Sequence, residues 1–436
     1  MQRGGVSSPQ PIALNVQKSD RNNCMGKIAI RPQPHQQVDR RTVDGSPSKA
    51  GHYKKSSTLT ISSIAPMPSL PTWTDDTELV GLRFELQPHY SSTLFPQYSI
   101  GLHAWFLDCV RQSNPELSTY LHDGESEKPF SLSLLDGELP LVGRQLQVSG
   151  DRTYGWTLNL LTAELVKWAK TWLETPPQTL NLRAATFDIK AIEVDPPPTT
   201  YQTLFDTADA ASVRLSFLSP TSFRHRGHHV PLPVPTNLFH SYLRRWNDFS
   251  GLPVETEDFL DWVDSHVVLR RHDIRSHKVA AGKRGAVTGF TGSIELSVSA
   301  TARRQNPDYA KLFAALARFA PYCGTGHKTP FGLGRTCVGW TEATAEPNSE
   351  QARLAERIDD LNELLLTRQK RPESDRARKI CQTRATILAR RELGESLQAI
   401  ADDLEMPYDT VKTYVKLTRR TLRDLESNPQ QQLSID

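Results

Sequence analysis

The sequence has few cysteines and no long apolar run. Its five cysteines are scattered through 436 residues, and no two form a C-x-x-C pair. An odd count without metal-ligand spacing argues against a disulfide framework or a zinc site and favours reduced thiols in the cytoplasm. No stretch of 18 apolar residues is present, so no membrane span is predicted. The N-terminus also lacks the apolar core of a signal peptide.

A strong net charge is absent as well. The formal charge is +3 and the hydrophobic content is 37%, so any case for nucleic-acid binding depends on local clusters of basic residues. The length of 436 residues predicts two to four domains, and the low apolar content predicts polar segments attached to them. Residues 1–74 are rich in Pro, Ser, Gln and basic residues and are predicted to be a disordered basic extension. Two interpretations stay open: a basic arm on RNA, or a stretch upstream of a true start at Met67.

Between residues 75 and 342, strand and helix patterns follow one another in the same order twice. The first pass predicts strand 78–88, helix 96–123, strands 128–135 and 149–161, helix 162–174, and one strand or a pair of strands at 181–195. The second predicts strand 211–223, helix 236–250, strands 266–280 and 286–299, helix 308–324 and strand 334–340. Strand, helix, strand, strand, helix, strand is the ferredoxin-like order. The predicted fold class is therefore α+β, with tandem ferredoxin-like domains at 75–204 and 205–342.

The C-terminal part differs in kind. Residues 343–375 are predicted to be a helical linker, 376–425 an all-α helix-turn-helix unit, and 426–436 a disordered tail. The unit resembles the helix-turn-helix of bacterial transcription regulators, with Glu405 where the turn usually has glycine. Its second helix would expose five polar side chains for nucleic-acid contacts, Lys412, Thr413, Lys416, Arg419 and Arg420. Binding to DNA, binding to RNA and docking to a protein all stay open.

The stretch "CGTGHKTPFGLGRT" (323–336) contains four glycines, Gly324, Gly326, Gly332 and Gly334. Such density requires close backbone approach. A nucleotide phosphate loop is disfavoured because His327 stands where a Walker A loop needs glycine. A structural role, as a helix cap and tight strand entry, competes with an RNA-facing surface whose donors are His327, Lys328 and Arg335. We favour the RNA-facing surface.

At this point the chain resembles the CRISPR-associated repeat-cleaving endoribonucleases of the RAMP superfamily, which process precursor RNA into guide RNAs. The resemblance is carried by "GTGHKTPFGLGRT", "SPTSFR" (219–224), "RRWN" (244–247) and "SNPELSTYLHDGESEKPFSLS", in order, over residues 75–342. It implies two ferredoxin-like domains and no cofactor. It also implies metal-independent attack of a 2′-hydroxyl that leaves 5′-hydroxyl and 2′,3′-cyclic phosphate ends.

The resemblance also implies site residues. The family's histidine matches His122, assigned as general base or acid, and a family lysine matches Lys128, assigned to the scissile phosphate. A tyrosine that some members carry in the first helix is replaced here by Leu107. Three substitutes lie on the same helix pair: Tyr98, His103 and Tyr120. The structural alternatives are a surface or capping role for His122 and a buried, hydrogen-bonded His103.

Basic segments of the second half are predicted to contact the repeat RNA through Arg224, Arg226, Arg270, Arg271, Arg275, Lys278, Lys283 and Arg284. The alternative for the 267–285 hairpin is a solvated sheet edge. The histidines of "SFRHRGHHVPLP" lack a nearby carboxylate or cysteine and are not assigned to a metal. Two other functions stay open: a non-catalytic RNA-binding subunit of a CRISPR effector complex, and a DNA-binding regulator.

Overall fold

The computed structural model describes residues 72–122, 127–142, 145–208, 210–225, 228–280, 285–342, 349–369, 371–372 and 374–426. The predictions for most of the N-terminal extension and of the C-terminal tail lie outside these residues. The predicted RNA contacts of Arg226, Lys283 and Arg284 also lie outside them.

The first unit is built on a five-stranded antiparallel sheet. Its elements are β1 (Val80–Pro88), β2 (Ser92–Leu94), α1 (Tyr98–Ser113), α2 (Pro115–His122), β3 (Phe130–Leu132), β4 (Leu141–Val142), β5 (Gln145–Val148), β6 (Tyr154–Leu160), α3 (Ala163–Trp172), β7 (Thr179–Leu182) and β8 (Ala185–Val194). The sheet order is β3-β6-β1-β8-β7, and β2, β5 and β4 form a separate small sheet. Without the edge strand β7, the order is that of a ferredoxin-like fold.

The second unit repeats this order. Its elements are α4 (Tyr201–Asp206), β9 (Ser212–Thr221), β10 (Phe223–His225), β11 (His228–Val230), α5 (Pro235–Phe249), α6 (Thr256–His266), β12 (Val267–Ala280), β13 (Ala286–Val298), α7 (Ala300–Gln305), α8 (Pro307–Cys323), a 3-10 turn (Thr329–Phe331) and β14 (Thr336–Val338). The sheet order is β12-β13-β9-β14. The predicted α+β class with tandem ferredoxin-like folds is confirmed.

Local signals set most helix starts. Thr162 precedes α3 and is its N-cap, because its side chain accepts a hydrogen bond from the backbone N–H of Leu165. Helix α5 begins one residue earlier than predicted, at Pro235. Proline suits a first helical position because its missing N–H would have no partner inside the helix.

Side chains of the first unit cap the end of α8 in the second. The Ser131 hydroxyl donates to the carbonyl of Tyr322 at 2.7 Å, and the Asn159 amide donates to the carbonyl of Pro321 at 3.1 Å. The last carbonyls of a helix have no partner within it. The two units therefore complete each other's hydrogen bonding where the glycine-rich loop starts.

Four helices follow: α9 (Ser349–Thr367), α10 (Asp375–Glu392), α11 (Leu397–Leu404) and α12 (Tyr408–Glu426). Helix α9 lies in the region predicted to be a helical linker, and it is packed: Leu354 and Ile358 are buried in one cluster with Ala280 of β12. Lys278 also pairs with Asp359 at 2.5 Å. Within the described residues, none of the helices is long and apolar enough to cross a membrane.

Candidate functional site

The four glycines of the loop between α8 and β14 are buried: Gly324, Gly326, Gly332 and Gly334. A Cβ atom on Gly334 would lie 1.9 Å from the carbonyl oxygen of Thr325, and one on Gly326 would lie 2.3 Å from that of Ser222. Both positions have positive φ angles, 69° and 78°. The glycines thus approach the protein's own backbone. Packing within the protein thus accounts for the glycines without RNA, and their contact with RNA stays a prediction.

The "SPTSF" segment (219–223) holds this loop in place. The backbone N–H of His327 donates to the carbonyl of Ser222 at 2.9 Å, and that of Gly334 donates to the carbonyl of Pro220 at 3.1 Å. The N–H of Arg335 donates to the hydroxyl of Ser219 at 2.9 Å. Two segments about a hundred residues apart in sequence therefore form one local structure.

His103 ties the loop to the first unit. Its Nδ1 lies 3.1 Å from the carbonyl oxygen of Pro330, and its ring stacks on Phe331 with 4.4 Å between centroids. The side chain is half-buried. These contacts favour the structural interpretation of His103, in which it positions the loop.

A cleft of about 400 Å³ opens between the two units beside the loop. Five cationic side chains line it: Lys128, Arg224, Arg244, Arg245 and Lys328. Three imidazoles join them, those of His225, His240 and His327, and Glu127 is the one carboxylate among the described lining residues. Such an excess of positive charge in a concave site favours a polyanionic ligand.

Arg245 joins both units at the floor of this cleft. Its side chain is 4% exposed and pairs with Glu127, with 3.1 Å between Nε and Oε2. The same guanidinium donates to the carbonyl of Gly326 at 3.0 Å and to the carbonyl and hydroxyl of Ser241. Arg244 pairs with the other oxygen of Glu127 at 2.8 Å. The carboxylate thus holds two arginines of α5 against the strand that follows Lys128.

Burial and neighbouring charge perturb the loop's titratable groups. Burial and the adjacent Lys328 lower the pKa of His327 to about 3, so its imidazole is neutral at pH 7. Burial and then Arg224 lower the pKa of Lys328 to about 8. Burial also lowers the pKa of His229 and His240. A bound phosphate would favour the charged form of each group.

Lys128 and His122 are brought close together. The ammonium of Lys128 donates to the carbonyl oxygen of Leu121 at 2.6 Å, and His122 follows as the last, exposed residue of α2. Lys128 lines the cleft. The ammonium of Lys128 therefore lies against the backbone of the residue that precedes His122.

The two predicted tyrosines, Tyr98 and Tyr120, differ in their exposure to solvent. Tyr98 is 7% exposed in the first core, and its hydroxyl accepts a hydrogen bond from the N–H of Leu135 at 3.2 Å. Burial raises its pKa well above the usual value. A sequestered phenol cannot reach a substrate, so the expectation for Tyr98 is wrong. Tyr120 is 46% exposed on α2.

The side chains predicted to contact RNA are either exposed to solvent or already bound to other residues of the protein. Arg224, Arg270 and Arg275 are exposed, and the exposed Arg271 stacks over the ring of Trp340 at 3.9 Å. Lys278, by contrast, pairs with Asp359 of helix α9. Its ammonium serves intramolecular packing, so a contact with RNA is not supported there.

Arg335 is also engaged within the protein. Its guanidinium pairs with Asp136 of the first unit, which also binds Arg83 at 2.9 Å. The Arg335 side chain is 20% exposed. This arginine joins the two units through a shared carboxylate, and its contact with RNA stays a prediction.

Sequence reasoning missed part of the cleft. Glu127, His240, Arg244 and Arg245 line it, yet the sequence patterns assign a binding role to none of them, although "RRWN" includes both arginines. A signal was available, because His240 and Arg244 are four residues apart on α5 and share a helix face.

The side chains of the last helix that are predicted to contact nucleic acid are all exposed: Lys412, Thr413, Lys416, Arg419 and Arg420.

Among the residues that the structure describes, no three His, Cys, Asp or Glu side chains are placed to hold a metal ion.

Two family models match the chain. "CRISPR Cas6 N-terminal domain" matches residues 81–206, and "CRISPR-associated endoribonuclease Cas6" matches residues 215–336. Each match covers most of one ferredoxin-like unit, and together they cover more than half of the sequence. Neither match extends to helices α9 to α12.

Similar proteins carry the same description. Proteins described as CRISPR-associated endoribonuclease Cas6 from two strains of Mycobacterium tuberculosis, CDC 1551 / Oshkosh and ATCC 25618 / H37Rv, are each 26% identical over 145 residues. This span is 33% of the present chain and 44% of the relatives, so the chain matches less than half of their length.

A solved structure shows the same fold. The structure described as "Cas6 (TTHB231) product complex" has a TM-score of 0.51 at 23% identity and covers 60% of this chain and 100% of its own. The protein TTHB231 is from Thermus thermophilus. With both family models matched in order on the two ferredoxin-like units, the chain belongs to the Cas6 family of CRISPR-associated endoribonucleases.

Proposed function

We propose that this chain is an endoribonuclease that cleaves CRISPR precursor RNA within the repeat. The observation that carries the proposal is the basic cleft between the two ferredoxin-like units, with Lys128 at its rim beside His122. Family membership supports the same activity, since the matched model is described as an endoribonuclease. The relatives are matched over less than half of their length, so a direct cleavage assay is the test of this activity for the whole chain.

The proposed reaction needs no metal ion. The 2′-oxygen attacks the adjacent phosphorus, the O2′–P bond forms, and the bond from phosphorus to the 5′-oxygen breaks. The proton of the 2′-hydroxyl passes to a base, and the leaving 5′-oxygen takes a proton from an acid. The products are a 2′,3′-cyclic phosphate and a 5′-hydroxyl. Imidazole titrates near neutral pH and suits either proton transfer.

His122 is the proposed base or acid. It is exposed at the end of α2, where a substrate can reach it. Lys128 is the proposed partner of the scissile phosphate, because a fixed ammonium stabilises the negative charge that develops there. Its hydrogen bond to Leu121 fixes the ammonium next to the residue that carries the imidazole.

The rest of the cleft binds the RNA backbone in this proposal. Arg224 and Lys328 line the cleft together with Lys128 and provide cations for neighbouring phosphates. Arg270 and Arg275 on β12 are exposed and extend the basic surface. A substitution that removes one phosphate contact should lower the salt dependence of binding by about 0.7 to 0.9 in log–log slope.

Cleavage of the cognate repeat RNA in EDTA tests this proposal. We expect the wild type to cut in EDTA and leave a cyclic phosphate. His122→Ala is expected to lose about 10²- to 10⁴-fold in rate while it binds the RNA normally. His89→Ala is the matched control, because this exposed histidine pairs with Asp188 on the first sheet and does not line the cleft.

Other results would change the assignment. Loss of cutting in His103→Ala but not in His122→Ala would move the acid–base role to α1. Dependence of the wild-type rate on added Mg²⁺ or Mn²⁺ would contradict the proposed reaction and leave the cleft as the binding site.

A second candidate is a non-catalytic RNA-binding subunit of a CRISPR effector complex. One observation favours it: Leu107 stands at the position of the family tyrosine, and the substitute Tyr98 is buried with its hydroxyl bonded. Tight repeat binding by the wild type without any cleavage, with or without metal ions, would establish this candidate in place of the enzyme.

A further inference from the structure

We propose that the C-terminal helices α10 to α12 form a binding site for duplex DNA, separate from the RNA cleft, with α12 as the helix that enters the major groove. Neither matched family model reaches this region, since the second ends at residue 336. The proposal rests on the surface and packing of α12, on the turn before it, and on the contacts that fix α11.

Helix α12 has one buried face and one cationic face. Val411, Val415 and Thr418 are buried against α10 and α11. Four exposed cations lie on the other side: Lys412, Lys416, Arg419 and Arg420. At ~100° per residue these four fall within an arc of about 100°. Such a cationic stripe on an exposed helix is the electrostatic footprint of a nucleic-acid site.

The turn between α11 and α12 has helix-turn-helix geometry. Only three residues, 405–407, separate the two helices, which is the length typical of this motif. Glu405 adopts the left-handed conformation, with φ 52° and ψ 47°. The N–H of Met406 then donates to the carbonyl of Ala401 at 2.9 Å, which closes the end of α11. Glutamate therefore takes the conformation for which this turn usually has glycine.

A buried ion-pair network fixes the first helix of the pair. The side chain of Arg390 on α10 is 2% exposed and binds Glu395 and Asp403, with 2.5 Å to each carboxylate. Asp403 also pairs at 2.7 Å with Arg183 in the turn between β7 and β8. Arg183 further donates to the carbonyl of Ala399 at 2.8 Å. Helix α11 is thus docked on the first ferredoxin-like unit, and the cationic face of α12 stays exposed.

Groove shape decides between DNA and RNA. The major groove of B-form DNA is wide enough to admit an α-helix. The major groove of A-form RNA is too narrow and deep for side chains to read. A single exposed helix with Asp409, Lys412 and Thr413 near its N-terminus fits the first and not the second, because residues near the N-terminus of a recognition helix contact base edges.

The test measures binding of the full chain to a labelled random-sequence DNA duplex of about 20 base pairs and to the RNA duplex of the same sequence. Fluorescence anisotropy is recorded at low and physiological salt. The α12 variant carries Lys416→Ala, Arg419→Ala and Arg420→Ala. The charge-matched control carries Arg111→Ala, Lys167→Ala and Arg304→Ala, three exposed cations on α1, α3 and α7.

We expect the wild type to bind the DNA duplex with Kd on the order of 10⁻⁴ to 10⁻⁶ M at physiological salt. The α12 variant should bind at least ~10-fold more weakly, with a salt slope lower by about 0.9 for each phosphate that it no longer neutralises, and the control should bind like the wild type. Any of three results would overturn the proposal: no DNA binding by the wild type, equal DNA binding by the α12 variant, or a preference for the RNA duplex that the α12 variant loses. Because the readout is DNA binding, it is independent of whether the chain cleaves repeat RNA.

Discussion

Removing the Glu127 carboxylate should destabilise the protein more than removing an exposed carboxylate does. Glu127→Ala leaves the guanidinium of Arg245, 4% exposed, without its charge partner. Breaking a fully buried ion pair in this way costs about 3–5 kcal/mol. Here Glu127 is 20% exposed, and Arg245 keeps its hydrogen bonds to Ser241, Gly326 and Thr329. We therefore expect a loss of about 2–3 kcal/mol, below the range for a fully buried pair.

Glu138→Ala is the matched control. Glu138 also pairs with one arginine, Arg152, but the two side chains are 78% and 51% exposed. An exposed ion pair contributes little to stability because solvent screens it. Both variants remove a glutamate carboxylate. Glu127→Ala also releases Arg244, whose side chain is 48% exposed and gains little from its pair. The difference between the variants therefore comes mainly from leaving the buried guanidinium of Arg245 without its charge partner.

Scanning calorimetry of the wild type and both variants measures the outcome. A loss of 1 kcal/mol lowers Tm by about 2–4 °C in a domain of 150–250 residues, so Glu127→Ala should lower Tm by several degrees more than Glu138→Ala. Equal shifts for the two variants would show that Arg245 is satisfied without the carboxylate, and the assignment of Glu127 as the link between the units would fail.

Three further predictions concern the loop and the first core. Gly334→Ala should cost more than about 3 kcal/mol in thermal unfolding and abolish cleavage, because its Cβ would lie 1.9 Å from a backbone oxygen; Gly394→Ala, with a positive φ but open space, should cost only about 1–2 kcal/mol, and equal costs would refute the argument. RNA affinity should weaken as the pH rises through about 8, because the ammonium of Lys328 loses its proton there. Lys328→Arg should give a Kd that does not change over this pH range. The same Kd–pH profile in both proteins would contradict the assignment of Lys328 as a phosphate contact. Tyr98→Phe should cost about 1 kcal/mol of stability and leave the cleavage rate unchanged, and a large loss of rate would return Tyr98 to the site.

Lys328 also affects stability in a definite direction. Its pKa is about 8 in the folded chain and about 10.4 in an unfolded one. Between these values the unfolded chain binds more protons, so this group's contribution to the free energy of unfolding increases as the pH rises from 8 to 10.4. A phosphate bound beside Lys328 would restore the ammonium and remove this effect.

Much of the fold could be predicted because its signals are local. The long strands β12 and β13 and the helices α3 and α8 have clear periodicity and end signals, which is enough to identify both ferredoxin-like units. Strands β2 and β4, of three and two residues, are too short to leave a pattern. The prediction omits helix α6, although this helix has two acidic residues in its first turn. It predicts a helical linker where α9 lies but misses that this helix is packed, because the apolar face of α9 finds its partner only when β12 packs against it.

The site was harder to predict because its defining contacts join residues distant in sequence. Arg245 meets Glu127 and Gly326, which are 118 and 81 residues away, and no local pattern reveals either contact. The error on Tyr98 was avoidable. Tyr98, Leu102, Phe106 and Val110 are spaced four apart on α1, and all four are buried. This spacing assigns the tyrosine to the apolar face of its helix.

The contacts at the junction imply that the cleft exists only when both units are docked. Asp136 binds Arg335, His103 contacts Pro330, and Glu127 binds Arg244 and Arg245; each contact joins a residue of the first unit to one of the second. The second unit contributes the loop and most of the cations, whereas the first contributes Lys128 and, next to it, His122. Neither unit alone therefore holds both the proposed acid–base group and the phosphate-binding surface. Substitutions that weaken docking should lower RNA binding and cleavage together, whereas a substitution of His122 should lower cleavage alone.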